Sequence, residues 1–116
     1  MTTEEEHQLI EACARAMGYE VHHYERFGWT RYEKIGGLNL RQVLWNPLTR
    51  PDDCAEMEDA KDVDITRCRD RVVALPQAGG AFFTEFYPEN PTLEQKSAAR
   101  RLAVCRCVAA SVEKEK

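Results

Sequence analysis

The sequence lacks the features that identify membrane and secreted proteins. No apolar run approaches the roughly 18 residues that a membrane-spanning helix requires. The first residues, from Met1 to Glu6, carry acidic side chains where a signal peptide would carry basic and then apolar ones. We therefore expect a cytoplasmic protein that has no membrane segment.

The sequence also lacks the short motifs of several enzyme classes. Its paired glycines, Gly36-Gly37 and Gly79-Gly80, have neither the spacing nor the lysine of a phosphate-binding loop, and no Gly-x-Ser-x-Gly segment occurs. An enzyme or a small-ligand-binding protein would need a site assembled from residues far apart in the chain. Its parts would be His22 or His23 together with acids of the second predicted helix. The sequence favours a binding protein over an enzyme and leaves both open.

Metal ligands in a recognisable spacing are missing as well. The cysteines include no Cys-x-x-C pair, and Cys105 and Cys107 stand two apart on a predicted helix, where their side chains point in different directions. His22 and His23 are adjacent on a predicted strand and point to opposite faces. His7 could approach one of them, but no spacing motif specifies a third ligand. We therefore expect reduced thiols, no metal site and no cofactor.

A reactive cysteine is not expected either. Cys54 is the best placed of the five, near the start of the second predicted helix. Its acidic neighbours Asp52, Asp53 and Glu56 would raise the pKa of the thiol by like-charge repulsion. We interpret these acids as a solvated helix face that suits the helix dipole. Contact with a basic partner is the alternative.

An excess of positive charge is also missing. The net charge of −4 argues against a protein whose main task is to neutralise the phosphates of nucleic acid. From residue 61 onward, however, bases outnumber acids by 10 to 8. A nucleic-acid-binding face on the last predicted helix, formed by Lys96, Arg100, Arg101 and Arg106, therefore stays open as an alternative.

Helical periodicity predicts a first helix from Thr3 to Met17 and a second from about Pro51 to Ala60 or Lys61. Gly18 can adopt the left-handed conformation that closes the first helix. The second has Thr49 and Asp52 as its predicted capping residues. Its predicted inner side consists of Cys54, Met57 and Ala60.

The third predicted helix begins at a capping box formed by Thr92 and Gln95. Its apolar residues step by three and four and form one stripe against the sheet: Ala98, Leu102, Cys105, Ala109 and Val112. The bases fall on the other side. We therefore expect Leu102→Ala to destabilise by about 2–4 kcal/mol and Arg101→Ala to cost little.

Alternating β-branched and aromatic residues predict strands at 19–24, 27–32, 63–67, 72–75 and 81–87, the last two joined as an antiparallel hairpin. Residues 38–44 fit either an extended segment or a helical turn. Together the elements predict an α+β fold with three helices packed on a small, mostly antiparallel sheet, an α-β-α sandwich. We expect one domain over residues 1–116, with a frayed tail at 113–116.

Three segments carry a resemblance to a known family. They are Met17-Gly18-Tyr19 at the end of the first helix, Trp45-Asn46-Pro47-Leu48-Thr49 before the second, and the Ala-rich final helix after the hairpin. In these segments, and in the order of elements over nearly the whole chain, the protein resembles the phage ABA sandwich domain family. Arg50 departs from the family's usual look, in which an acid often follows the threonine. The resemblance implies a layered α-β-α fold and a bacteriophage or prophage origin, and it implies no particular reaction.

A phage accessory protein without a catalytic constellation is expected to act by binding. The expected partner is a host macromolecule, in the first place a host protein such as a component of a defence system. The protein would then be an anti-CRISPR-like inhibitor in the cytoplasm of the host cell, without enzymatic activity. The candidate contact residues are aromatic and basic residues of the first hairpin and acids of the second helix: Tyr24, Arg26, Phe27, Trp29, Arg31, Tyr32, Asp52, Asp53 and Glu56.

The two tryptophans are expected to have different roles. Trp45 begins the turn into the second helix and should be buried, which leaves Trp29 as the more exposed of the two. Trp29 and Tyr32 lie three apart on a strand, so one should point inward and the other outward. We expect Trp29→Ala to leave the melting temperature nearly unchanged and to abolish partner binding.

Overall fold

The computed structural model describes residues 1–77 and 79–113. Within these residues, three helices and six strands follow one another: α1 (Thr3–Met17), β1 (Val21–Tyr24), β2 (Gly28–Gly36), β3 (Asn39–Leu44), α2 (Pro51–Ala60), β4 (Val63–Arg67), β5 (Arg71–Pro76), β6 (Phe83–Phe86) and α3 (Leu93–Glu113). The α+β class is therefore confirmed. Of the tail predicted at 113–116, Glu113 is instead the last residue of α3, and 114–116 lie outside the described residues.

The strands form two antiparallel sheets of three strands each, in the order β1-β2-β3 and β4-β5-β6. Each strand pairs with its neighbour in sequence, and β5 and β6 form the predicted hairpin. The segment that the sequence left open is strand β3, which pairs with β2. The sequence predicted one small sheet, whereas the strands form two separate sheets.

Local signals determine where α1 and α3 begin and where α1 ends. The Thr2 hydroxyl accepts a hydrogen bond from the backbone N–H of Glu5 at 3.1 Å, and Gly18 closes α1 with a φ of 74°. Before α3, the Gln95 side chain accepts from the Thr92 N–H at 2.9 Å, and the Thr92 hydroxyl accepts from the Gln95 N–H at 3.1 Å. The predicted capping box is confirmed.

The start of α2 differs from the sequence prediction. The residue at the N-cap is Arg50, and its side chain makes no capping hydrogen bond, so the capping roles predicted for Thr49 and Asp52 are wrong. Asp53 instead accepts hydrogen bonds from the backbone N–H of Asn46 at 3.0 Å and from Nε of Arg50 at 2.9 Å. This carboxylate ties the preceding turn to the helix.

The core forms around α3, which packs against α1 and against β5 and β6. Most core residues are small or medium-sized, and they include Ile10, Cys13, Ala14, Trp45, Met57, Val72, Ala74, Val104, Cys105 and Val108. None of the helices in residues 1–77 and 79–113 combines the length and the apolar character that crossing a membrane requires.

Burial corrects two of the predicted helix faces. On α2, Cys54 and Met57 are buried as predicted, whereas Ala60 is exposed. On α3, the predicted stripe is wrong at three positions: Ala98 is exposed, and Leu102 and Val112 are only half-buried. The physical reason is that α3 is covered on several sides, so that its buried residues do not form a single stripe.

The first sheet forms an arm that projects from this body. Among the described residues, no helix packs extensively against β1, β2 or β3, and the base of the arm is anchored in the core by Trp29, with Trp45 directly after β3. The radius of gyration is 14.7 Å, above the value of about 13 Å expected for a compact chain of this length. We use the name "arm" for residues 21–44.

Candidate functional site

The arm has two faces with different surroundings, because successive side chains of a strand point to opposite sides. The strand register places His22, Tyr24, Thr30, Tyr32, Lys34, Leu40, Gln42 and Leu44 on one face. The opposite, inner face carries Val21, His23, Trp29, Arg31, Glu33, Arg41 and Val43. The inner face is turned toward the body, because Trp29 belongs to the core and Val21 packs against it.

Trp29 is buried on the inner face. It is 7% exposed and Trp45 is 1% exposed, so both indoles are core residues, although Trp29 is the more exposed of the two. The Trp29 ring contacts the rings of His7 on α1 and His23 on β1, each with centroids 5.1 Å apart. The prediction that Trp29 is a free contact residue is therefore wrong, because α1 covers it. Its strand neighbour Tyr32 points outward and is 43% exposed.

Tyr19 connects the inner face of the arm to α2. The Arg31 guanidinium lies over the Tyr19 ring, 4.4 Å from its centroid, and the Trp45 ring meets it edge-on. The Tyr19 hydroxyl donates a hydrogen bond to Glu56 at 2.6 Å. Burial, and then this hydrogen bond, raise the pKa of Tyr19 above its ordinary value. Arg31 and Glu56 thus join the arm to the body, a role that the sequence did not indicate.

The outer face of the arm carries several exposed apolar side chains. Four large ones there, together with Phe27 in the turn before β2, are 42–65% exposed, and we call the five the outer patch: Tyr24, Phe27, Tyr32, Leu40 and Leu44. Tyr24, Phe27 and Leu44 contribute to an open groove of about 400 Å³. A cluster of exposed apolar side chains marks an interaction site more often than scattered apolar residues do.

The polar groups beneath the outer patch are already satisfied. The Thr30 hydroxyl accepts a hydrogen bond from the Gln42 amide at 2.8 Å and donates to the backbone carbonyl of His22 at 3.3 Å. A partner that covers the patch therefore leaves the Thr30 hydroxyl satisfied.

Sequence reasoning found three members of the outer patch and missed two. Tyr24, Phe27 and Tyr32 were among the candidate contact residues. Leu40 and Leu44 were missed, because the conformation of residues 38–44 was left open. Their even spacing would place them on one face of a strand, and this was the signal that could have identified them.

The acids of α2 serve mainly structural roles. Asp53 holds the preceding turn and Glu56 accepts from Tyr19, whereas Asp52 is exposed. Asp53 and Glu56 are thus engaged within the protein, although both had been candidates for contact with a partner. The geometry assigns them first to the junction between the arm, the turn and α2.

Arg101 on α3 is buried rather than presented to nucleic acid. It is 6% exposed, and its Nε donates to the backbone carbonyl of Leu48 at 2.7 Å. Its two terminal nitrogens donate to the Ser97 hydroxyl at 2.6 Å and to the Glu94 carboxylate at 2.8 Å. The assignment of Arg101 to a solvent-facing basic side is wrong, because this side of α3 packs against the turn before α2.

Two more of the four bases on α3 are held in ion pairs. Arg100 donates two hydrogen bonds to Glu58, at 2.7 and 2.9 Å, and Arg106 is paired with Glu85. Among the described residues, Lys96 is the one of the four without a carboxylate partner. The geometry therefore does not favour a continuous nucleic-acid-binding face on this helix.

The histidines divide between the two faces of the arm, as predicted. His7 lies close to His23, with ring centroids 4.5 Å apart, whereas His22 contacts Tyr32 on the other face. In the described part of the chain, no group of three or more histidine, cysteine, aspartate or glutamate side chains is placed to hold a metal ion. His22 and the acids of α2 are not brought into one site, because His22 lies on the outer face.

The cysteines differ strongly in their surroundings. Cys13, Cys54 and Cys105 are buried, and Cys68 is exposed in the turn between β4 and β5. Burial, and then the nearby Glu58 carboxylate, raise the pKa of Cys54 to about 12. A raised pKa of Cys54 was predicted from the sequence. Its main cause, however, is burial and not repulsion from the acids next to it in the sequence. The Cys13 thiol and burial also raise the pKa of Cys105.

We expect Cys68 to react with iodoacetamide at pH 8 at least about 100-fold faster than Cys54, because the thiolate is the nucleophile and burial suppresses it. Mass spectrometry of peptides from timed samples measures both rates in one experiment. Comparable rates in the folded protein would contradict the burial of Cys54.

The raised pKa of Cys54 also predicts a pH dependence of stability. Folding favours the neutral thiol, so this contribution is complete below the ordinary thiol pKa of about 8.5. This stabilising contribution is lost as the pH rises toward the pKa of Cys54 in the folded protein, which is about 12. Denaturation curves at pH 8 and pH 10 should therefore show an alkaline loss that is smaller in Cys54→Ala.

In comparisons with known proteins, no family model and no curated protein matches the chain.

Proposed function

We propose that the protein acts by binding another protein through the outer patch of its arm. The observation that carries this proposal is the exposure of five large apolar side chains, each 42–65% exposed, on one face of a projecting sheet and in the turn before β2. Burial of a fully exposed side chain of this size contributes about 1.5–3 kcal/mol, and roughly half of that is still to be gained at each of these positions. Covering several of them supplies free energy toward the cost of association.

The composition of the patch supports the same role. Tyrosine, phenylalanine and arginine are enriched at protein interfaces. The patch contains two tyrosines, and the Arg26 guanidinium lies 5.6 Å from the centroid of the Phe27 ring. Lys34 lies at the far end of the same face. An apolar centre with charged residues at its margin is the usual arrangement of a protein interface.

The resemblance to the phage ABA sandwich domain family supplies the biological setting of the proposal. A protein of phage or prophage origin would meet host proteins in the host cytoplasm, and a host defence component is the partner that we propose. Inhibition of such a component, as in anti-CRISPR proteins, requires a contact surface and no reaction. This step depends on the resemblance, whereas the binding surface depends on the geometry of the arm.

The test replaces two members of the outer patch together, Phe27→Ala and Leu44→Ala. We expect the double variant to lose at least about tenfold in partner binding, since single interface anchors commonly contribute 2 kcal/mol or more. Tagged protein is used to capture partners from a bacterial host lysate. Quantitative mass spectrometry then compares the proteins captured by each variant.

The chain offers a closely matched control. Phe86 is 63% exposed and Phe27 is 65% exposed, and each has an arginine over its ring. Leu75 is 40% exposed and Leu44 is 48% exposed. Phe86→Ala with Leu75→Ala therefore removes the same side chains from the second sheet. If both double variants lost the same captured protein, or if neither did, the outer patch would not be the binding surface.

A further inference from the structure

A small depression lies between the second sheet and the first half of α3, away from the arm. Its lining consists of Arg67 at the end of β4, Tyr87 directly after β6, and Leu93, Lys96, Ser97 and Arg100 on α3. The volume is about 180 Å³. Three of the six lining residues are bases, and no acid is among them. The feature requires an explanation, because Arg100 is paired with Glu58 whereas Arg67 and Lys96 repel each other unless an anion lies between them.

The bases have hydrogen-bond donors to spare. Among the residues that the structure describes, neither Arg67 nor Lys96 has a carboxylate within ion-pair distance. Arg100 reaches Glu58 through one terminal nitrogen, which donates both hydrogen bonds. Its Nε and other terminal nitrogen make no hydrogen bond with the described residues. The Glu58 carboxylate thus fixes the orientation of this guanidinium without using all of its donors.

The remaining lining residues complement an anion that carries an organic group. The Ser97 hydroxyl accepts a hydrogen bond from Arg101 at 2.6 Å, which leaves its own proton available to donate. On the other side, Tyr87 and Leu93 provide an apolar wall, with Nζ of Lys96 5.8 Å from the centroid of the Tyr87 ring.

We propose that this depression binds a small phosphate monoester. Arg67 and Lys96 supply two positive charges that no carboxylate of the described residues neutralises, since the charge of Arg100 is paired with Glu58. These two charges match the charge of about −1.5 to −2 on such a group at pH 7, and the arginine and hydroxyl donors match its three oxygens. A carboxylate carries less charge and fewer acceptor oxygens, and it would leave donors unused. The volume lies below the roughly 300 Å³ at which pockets for drug-sized ligands begin, so the organic group is a small one that packs on Tyr87. In the sequence, Lys96 and Arg100 group with other bases of the same helix. In the fold they line one depression together with Arg67.

The test measures binding of three probes by isothermal titration calorimetry at low salt: inorganic phosphate, phenyl phosphate and benzoate. We expect phenyl phosphate to bind most tightly, inorganic phosphate to bind in the same pocket, and benzoate to bind at least about tenfold more weakly than phenyl phosphate. Equal affinity for benzoate and phenyl phosphate would overturn the assignment to phosphate. So would the absence of saturable phosphate binding below roughly 10 mM.

Two charge-matched double variants locate the site. Arg67→Gln with Lys96→Gln should weaken phenyl phosphate binding at least about tenfold, because both donors are lost. Arg15→Gln with Lys61→Gln removes the same charges from exposed positions on α1 and directly after α2, and should change the affinity less than about twofold. Melting curves confirm that both variants fold. Equal weakening in the two variants would show general attraction to a charged surface and would overturn the proposal. Binding to the outer patch is measured separately, so either proposal can fail without the other.

Discussion

Replacing Trp45 by alanine is expected to lower the free energy of unfolding by about 3–5 kcal/mol. Trp45 is 1% exposed and lies where the arm joins the body. Its backbone N–H donates to the carbonyl of Trp29 at 3.0 Å, and its ring meets the Tyr19 ring with centroids 5.6 Å apart. The variant would leave a cavity at this junction, because the surrounding strands and helices are fixed by their own hydrogen bonds and cannot close it. Chemical denaturation followed by circular dichroism measures the loss.

The control for this prediction is Trp45→Phe. Within the described chain, the buried indole nitrogen of Trp45 has no hydrogen-bond partner. Phenylalanine therefore removes ring volume and an unsatisfied donor at the same time, and it loses no hydrogen bond. We expect a cost of about 1–2 kcal/mol, clearly below that of alanine. Equal costs for the two variants, or a cost for alanine below about 1 kcal/mol, would contradict the described packing at this junction.

Helix ends could be predicted from the sequence because the determining interactions are local. Gly18 closes α1 through its own backbone conformation, and Thr92 and Gln95 cap α3 through hydrogen bonds across three residues. The same reasoning was wrong for α2. Its capping pattern was present in sequence, but Asp53 bonds to the backbone of Asn46, seven residues earlier, and this depends on the path of the turn.

The inward side of the arm could not be predicted in the same way. Alternation indicates that Trp29 and Tyr32 point to opposite faces, which is confirmed, but it does not indicate which face is covered. The decision comes from α1, where His7 packs against Trp29. This is a contact between segments more than twenty residues apart, and no local pattern encodes it. The contact surface that we propose therefore keeps Tyr24 and Tyr32 and excludes Trp29.

The last helix shows the limit of assigning one apolar stripe to a helix. Such an assignment assumes a single covered side. α3 packs against α1, against the second sheet and against α2, so its buried residues surround more of its circumference. Small residues such as Ala103 and Cys105 allow this close packing, and Arg101 is buried with its hydrogen bonds satisfied.

Arg101→Ala is accordingly expected to destabilise by about 2–3 kcal/mol, because it removes the buried stem and three hydrogen bonds and leaves the Leu48 carbonyl without this donor. Leu102→Ala should cost about 1 kcal/mol, since Leu102 is half-buried and less contact is lost. This order is the reverse of the one that the stripe predicts. Urea denaturation of the two variants, with Arg15→Ala as an exposed control expected within about 0.5 kcal/mol of the wild type, measures it.

A third variant at the same position separates packing from hydrogen bonding. Arg101→Met keeps an unbranched apolar stem but supplies no donor to Leu48, Ser97 or Glu94. Glu94 is largely exposed and its carboxylate would be solvated, so the cost arises mainly from the Leu48 carbonyl. We expect Arg101→Met to recover part of the loss seen with alanine and to remain at least about 1 kcal/mol less stable than the wild type. Wild-type stability in Arg101→Met would show that the guanidinium is not required, and a larger loss for Leu102→Ala than for Arg101→Ala would restore the single-stripe interpretation of α3.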